Sequence, residues 1–251
     1  MTKTLEIVGI VDLSTVDEIN RPVSVIFLQG CNANCHFCHN IESLNKEKTK
    51  NIEVIELIDR LQENDLIDGV IFSGGEPTLQ CNLIEFIREL GEVYTFIGLD
   101  TNGTNPESLK ELSEYVSRIA MDIKASFKNY QEVMGYEVDV DKIKESVDIL
   151  IEFSKNKGRV EFRTTFVPEL ISIDEILEIG NYLKEKGFTG NYGSFYVIQQ
   201  YIKSEGVRKK YRDLFTIPKP EDMMDVAIKL WKNGLPMAIR TREKGLYVLG
   251  D

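Results

Sequence analysis

One alternation narrows the fold more than any other feature of this chain. Short β-rich runs at 23–29, 69–73, 93–100, 118–124, 160–167 and 194–199 are separated by stretches with helical periodicity. The segment 52–62 places Val54, Ile55, Ile58 and Leu61 on one helical face, and 83–90, 106–116, 141–153 and 173–184 read in the same way. Asn51, Asn105 and Ser172 stand where helix N-caps are expected. Strands that alternate with helices of this length imply βαβ units and a parallel sheet.

The strand faces separate an open sheet from a barrel. In 118–124, Ile119, Met121 and Ile123 form an apolar face, while Ala120, Asp122 and Lys124 share the other. In 160–167, Val160, Phe162 and Phe166 oppose Glu161, Arg163 and Thr165. A doubly wound sheet is covered by helices on both sides and reads apolar on both. A charged face on two strands fits a barrel interior with a polar upper part. The fold expected is therefore α/β, a partial (β/α)6 TIM-like barrel, with its functional groups at the C-terminal strand ends. Segment 4–11 reads as an added N-terminal edge strand. Residues 1–200 form the core, and 201–251 form a C-terminal extension packed on the same domain. That extension holds a basic stretch at 203–212, read as a solvated loop rather than a docking patch, a helical run at 222–231 and a strand-like run at 237–240.

Composition excludes more than it selects. Thirty Lys and Arg against 41 Asp and Glu give a net charge of −11, which argues against a general nucleic-acid or membrane-surface binder. No apolar run approaches the roughly 18 residues of a membrane span, and the first residues carry no signal-peptide core. The cytoplasm is the expected compartment. Four cysteines are too few for a disulfide scaffold, and three of them, Cys31, Cys35 and Cys38, fall within eight residues. Clustered thiols in such a protein point to a metal.

The cluster reads Cys31-Asn-Ala-Asn-Cys35-His-Phe-Cys38 and directly follows the first barrel strand. Three thiolates from one loop can hold three irons of a 4Fe–4S cluster and leave the fourth open. A structural zinc site is the alternative, and it would need His36, His39 or Cys81 to complete four ligands. The second barrel strand ends in Ser73-Gly74-Gly75-Glu76-Pro77. Paired glycines allow close approach to the backbone, and a carboxylate beside carbonyls suits an ammonium group.

The CX3CX2C loop with Phe37 before its last cysteine, followed by this GGE run, resembles the radical S-adenosylmethionine superfamily. The resemblance implies one 4Fe–4S cluster on Cys31, Cys35 and Cys38. It also implies S-adenosylmethionine bound at the open iron, with its amino group near Gly74, Gly75 and Glu76 and its adenine near Phe37. Reductive cleavage there gives a 5′-deoxyadenosyl radical that abstracts a substrate hydrogen atom. Within the superfamily, Phe27-Leu-Gln-Gly-Cys31, Cys38-His39-Asn40, Leu99-Asp100-Thr101-Asn102-Gly103 and Asp122-Ile123-Lys124 resemble the enzymes that activate glycyl-radical enzymes. The longer form of the anaerobic ribonucleotide-reductase activating proteins is the nearest match. That likeness implies a glycyl-radical enzyme as protein substrate and a flavodoxin- or ferredoxin-type electron donor. A small molecule or RNA is the alternative substrate.

Asp100 and Asp122, on neighbouring strand ends, need compensation if both are ionised. The resemblance implies a monovalent cation at Asp100, Thr101 and Asp122, and Lys124 is the alternative neutraliser. Asn102 and Lys124 are further candidate cofactor contacts. Arg163 would meet the cofactor's carboxylate or ribose, or else pair with Glu161 or another barrel acid. No late histidine is present, so Gln199 or Gln200 is the candidate for that role. His36 and His39 are expected to be packed side chains, and Cys81 a buried structural thiol. Segment 125–137 is a candidate mobile clamp for a partner's glycine loop.

Overall fold

The computed structural model describes residues 3–250. One ten-stranded sheet runs through it. In chain order the strands are β1 (Thr4–Ser14), β2 (Val23–Leu28), β3 (Lys50–Glu53), β4 (Gly69–Gly74), β5 (Phe96–Thr101), β6 (Arg118–Asp122), β7 (Arg159–Phe166), β8 (Phe195–Gln200), β9 (Met237–Thr241) and β10 (Gly245–Val248). Between them lie α1 (Val54–Gln62), α2 (Leu83–Gly91), α3 (Pro106–Leu112), α4 (Tyr130–Met134), α5 (Val140–Asn156), α6 (Ile173–Glu185), α7 (Lys209–Arg212) and α8 (Pro220–Lys232). The six anticipated strands, β2 and β4 to β8, lie side by side and parallel. The sheet ends at β3 on one side and β10 on the other, so the barrel does not close.

Three details differ from the sequence reading. The run at 237–240 is a seventh parallel strand, because α8 carries the chain back to pair β9 with β8. The N-terminal strand is not at the edge: β1 lies antiparallel between β2 and β3. Asn51 caps nothing, because 50–53 pairs with β1 and the helix starts only after Glu53, which gives no side-chain cap. Asn105 and Ser172 do cap α3 and α6, and Ser172 forms a reciprocal capping box with Glu175.

The helices cover one sheet face. Phe72, Leu99, Ile119, Met121, Phe162, Tyr196 and Ile198 are fully buried there against Phe86, Leu109, Val147, Leu150 and Leu230. Burying each such side chain stabilises the fold by about 1.5–3 kcal/mol. The opposite, concave face is different. Two small apolar groups, Val23, Val25, Ile71 and Phe96 on one side and Phe195, Val197 and Ala238 on the other, flank a charged centre. The alternation seen in 118–124 and 160–167 is therefore a real division between core and interior.

Candidate functional site

The loops after β2, β4 and β5 meet at the C-terminal end of the sheet. Gly75 N donates to Leu28 O at 2.9 Å, and Glu76 N donates to Gly30 O at 2.7 Å. A Cβ on Gly75 would lie 1.8 Å from Gly30 O, so no larger residue fits this crossing. Glu76 is fully buried. It accepts from Thr78 N (3.1 Å), Thr78 Oγ1 (2.6 Å), Thr101 Oγ1 (2.7 Å) and Asn102 N (2.6 Å). The carboxylate anticipated to face an ammonium group ties the β4 loop to the β5 loop. Burial raises its pKa above the ordinary value, and these donors act against that shift. Asn102 extends the tie, with Nδ2 donating to Asn32 Oδ1 at 3.0 Å and reaching Cys31 Sγ at 3.8 Å.

Cys35 is buried, and Cys31 and Cys38 are half-buried. Burial pushes the Cys31 thiol up to about 12 and also raises that of Cys35. Ala33 N donates to Cys31 Sγ at 3.4 Å. Among the described residues no three Cys, His, Asp or Glu side chains close round one point at metal-holding distance. The donor set nonetheless fits an iron–sulfur cluster: three thiols on one loop, with N–H donors aimed at sulfur, are what thiolate ligation to iron uses. Phe37 is buried beside them, with Lys124 Nζ 5.7 Å from its ring centre.

Below the loops the concave face carries a continuous chain of charge. Lys124 Nζ meets Asp122 Oδ2 at 2.7 Å, and Arg163 Nε meets Asp122 Oδ1 at 2.9 Å. Arg163 also reaches Asp100 Oδ1 at 3.4 Å, and Arg118 Nη1 binds the same oxygen at 2.6 Å. Arg118, fully buried, continues to Glu161 Oε2 at 3.1 Å and Glu18 Oε2 at 3.7 Å. Arg159 and Arg240 complete Glu161's partners at 3.0 and 3.2 Å. Burial works against the charge on Asp122, but Arg163 and Lys124 outweigh it and hold the carboxyl well below its usual range. Burial likewise opposes ionisation of Glu161, and Arg118, Arg240 and Arg159 bring its pKa down to about 2.

Compensation of Asp100 and Asp122 is thus supplied by Arg163, Arg118 and Lys124. Of the side chains named for a monovalent cation, Asp100 and Asp122 meet at Arg163, and the Thr101 hydroxyl donates to Glu76. Arg118, Arg159, Glu18 and Arg240 were missed from the sequence. Strand alternation does place Arg118 and Arg240 on the polar face, but their partners lie on strands far apart in the chain. Gln199 stays on that face, with Arg240 Nη1 at 3.4 Å, whereas Gln200 accepts from Arg242 N and donates to Pro218 O.

Other expectations are corrected. Cys81 is exposed rather than buried, and it lies just ahead of α2. Segment 125–137 is anchored on both sides: Ser126 and Asn129 donate to Glu175, and Met134 O accepts from Asn34 N at 2.9 Å. The basic stretch is not simply solvated, because the chain after β8 folds onto the cysteine loop. His39 Nε2 lies 2.8 Å from Ile202 O, and His36 stacks on Tyr211 with ring centres 4.4 Å apart. Gly206 packs so tightly that a Cβ there would meet His39 O at 1.9 Å. Both histidines are packed side chains, as anticipated.

The comparisons agree with this architecture. The profile described as "Radical SAM superfamily" matches residues 25–171. A Methanocaldococcus jannaschii protein named "Putative glycyl-radical enzyme activating enzyme" is 34% identical over 226 residues, 87% of this chain and 88% of that protein. The pyruvate formate-lyase-activating enzyme of Clostridium pasteurianum is 30% identical over 169 residues, covering 64% of this chain and 69% of that protein. The 7-carboxy-7-deazaguanine synthase of Archaeoglobus fulgidus is 32% identical over 168 residues, 61% of this chain and 68% of that protein. The crystal structure of QueE from Escherichia coli superposes with a TM-score of 0.56 over 95% of each chain at 14% identity, a likeness of fold. No helix among the described residues is long and apolar enough to cross a membrane. With its three-cysteine loop, its GGE crossing and a matching profile over more than half its length, the chain belongs to the radical S-adenosylmethionine superfamily, whose members use a 4Fe–4S cluster and S-adenosylmethionine.

Proposed function

We propose that the protein activates a glycyl-radical enzyme, with anaerobic ribonucleotide reductase as the first candidate. When bound, the cluster and S-adenosylmethionine supply a 5′-deoxyadenosyl radical generated by one-electron reduction. Cys31, Cys35 and Cys38 would hold three irons. The Gly74–Glu76 turn, Phe37 and the strand-end groups Asp100, Thr101, Asn102, Asp122, Lys124 and Arg163 would surround the nucleoside and its methionyl end. Glu76 acts there by fixing the turn, since its oxygens are occupied by protein donors. Arg163 and Lys124 place positive charge at the strand ends, where a carboxylate would be received.

The observation that carries the reading is the near full-length match to a protein named as a glycyl-radical enzyme activating enzyme, at 34% identity. The open sheet supports it, because a polypeptide loop can enter the concave face from the side between β3 and β10. A small-molecule substrate is the second reading. The 32% identity to a 7-carboxy-7-deazaguanine synthase, over 61% of this chain, favours it.

The test is an anaerobic electron paramagnetic resonance measurement. It uses reconstituted protein, S-adenosylmethionine, a reductant and the ribonucleotide reductase from the same organism. A glycyl-radical doublet on the reductase is expected. Accumulation of 5′-deoxyadenosine without a doublet would move the substrate to the second reading.

A further inference from the structure

The chain between β8 and α8 pairs a cover over the cysteine loop with a concentration of positive charge. On the inner side, Arg208 Nη1 donates to Asn34 O at 3.4 Å and lies 3.5 Å from Cys35 O, and its Nη2 bonds Asn34 Oδ1. Ile41 N donates to Gly206 O at 3.4 Å. On the outer side, Lys203, Lys209 and Lys210 are exposed, and Leu214 beside them is 67% exposed. Segment 203–214 carries a net charge of +3 in a chain whose total is −11. None of its five cationic side chains forms an ion pair among the described residues. Unpaired surface cations such as Lys142 and Lys229 occur elsewhere too, so what sets this segment apart is its net positive charge beside the cysteine loop.

A solvated basic loop has no reason to lie against the one loop that carries three thiols. Its backbone instead seals that loop while its lysines face outward around an exposed leucine. Charge with an apolar centre is the composition of a transient protein interface. We infer that this strap is the docking face for a small acidic electron-carrier protein of the flavodoxin type. The inference rests on the proposed radical chemistry, which requires one electron from outside. In the docked pair, one electron would pass from the carrier's reduced flavin to the cluster that Cys31, Cys35 and Cys38 would hold. The flavin would be oxidised by one electron and the cluster reduced by one, with no bond made or broken on this chain. The strap connects the two surfaces, since Arg208 touches the Cys35 carbonyl while its neighbours Lys209 and Lys210 face solvent.

The test is the double variant K209E/K210E in the full chain. Both side chains are exposed, and neither forms a hydrogen bond or ion pair with the cysteine loop, although Lys210 lies over the Tyr211 ring. Titration of flavodoxin into wild type and variant, at about 50 and 200 mM salt, reads the surface directly. The expected result is binding at least about tenfold weaker in the variant, with the salt sensitivity of the wild type reduced. With dithionite as reductant, cleavage of S-adenosylmethionine should be unchanged, while flavodoxin-driven cleavage should fall about as far as binding does. Equal flavodoxin affinity in the two proteins, or wild-type binding indifferent to salt, overturns the inference. So does a variant that loses the glycyl-radical enzyme but keeps flavodoxin. If wild type releases no 5′-deoxyadenosine with dithionite, the proposed chemistry fails by itself, and the titration still decides the surface.

Discussion

Glu161 shows how a single buried acid sets the chemistry of the concave face. It is completely buried and bound by three arginines. Removing its charge leaves Arg240 without an ion-pair partner in the interior and Arg118 with only Asp100 and Glu18. Glu161→Gln should therefore cost about 3–5 kcal/mol in unfolding free energy. Because its folded pKa is depressed to about 2 from 4.5, its stabilisation is complete above pH 4.5 and is lost as pH falls toward 2. The melting temperature of the wild type should drop steeply across that window, and that of Glu161→Gln less so; parallel slopes would mean another acid dominates. Residues of this kind were only half legible. Alternation in β7 puts Glu161 and Arg163 on the polar face, but nothing local says that Arg118 on β6 and Arg240 on β9 will be the partners. The cysteines and Gly75 were legible because their chemistry is written in one short loop. Glu76 was legible as important, but its tie between loops was not, since its four donors come from two different loops.

At the scale of elements, the strap over the cysteine loop is the least anticipated part. Its sequence looks polar and loop-like, and only the close approach of Gly206 to His39 O shows that it is packed. Gly206→Ala should force the strap off the loop, with a loss of about 1–3 kcal/mol. Limited trypsin digestion should then cut at Lys203, Arg208 or Lys209 faster than in wild type; an unchanged digestion rate would show that the backbone yields without separating. β3 went unread for a related reason. Lys50-Asn-Ile-Glu53 has no strand signature, and it becomes a strand only because β1 offers an unpaired edge. Ser172 was read correctly because a capping box is a local motif with its own hydrogen bonds.

For the molecule as a whole, the sequence read as six parallel strands and the chain has seven. β9 was visible as a strand-like run, but the long connection from β8 hid its partner. Its pairing covers the β8 edge, where Phe195 and Val197 pack with Ala238. Deleting 237–250 should expose that edge and those side chains, so the truncated chain should elute as aggregates in size-exclusion chromatography. A monodisperse truncated protein would show that β8 tolerates being an edge.

The strap also has a consequence for the order of synthesis. Ile202, whose carbonyl holds His39, follows that histidine by 163 residues. A ribosome adding about 5–20 residues per second needs roughly 8–30 s to make that interval. Throughout it, the cysteine loop has emerged while the segment that will cover it is still unmade. Iron and sulfide therefore have a period of access on the nascent chain before the strap narrows the approach to the loop.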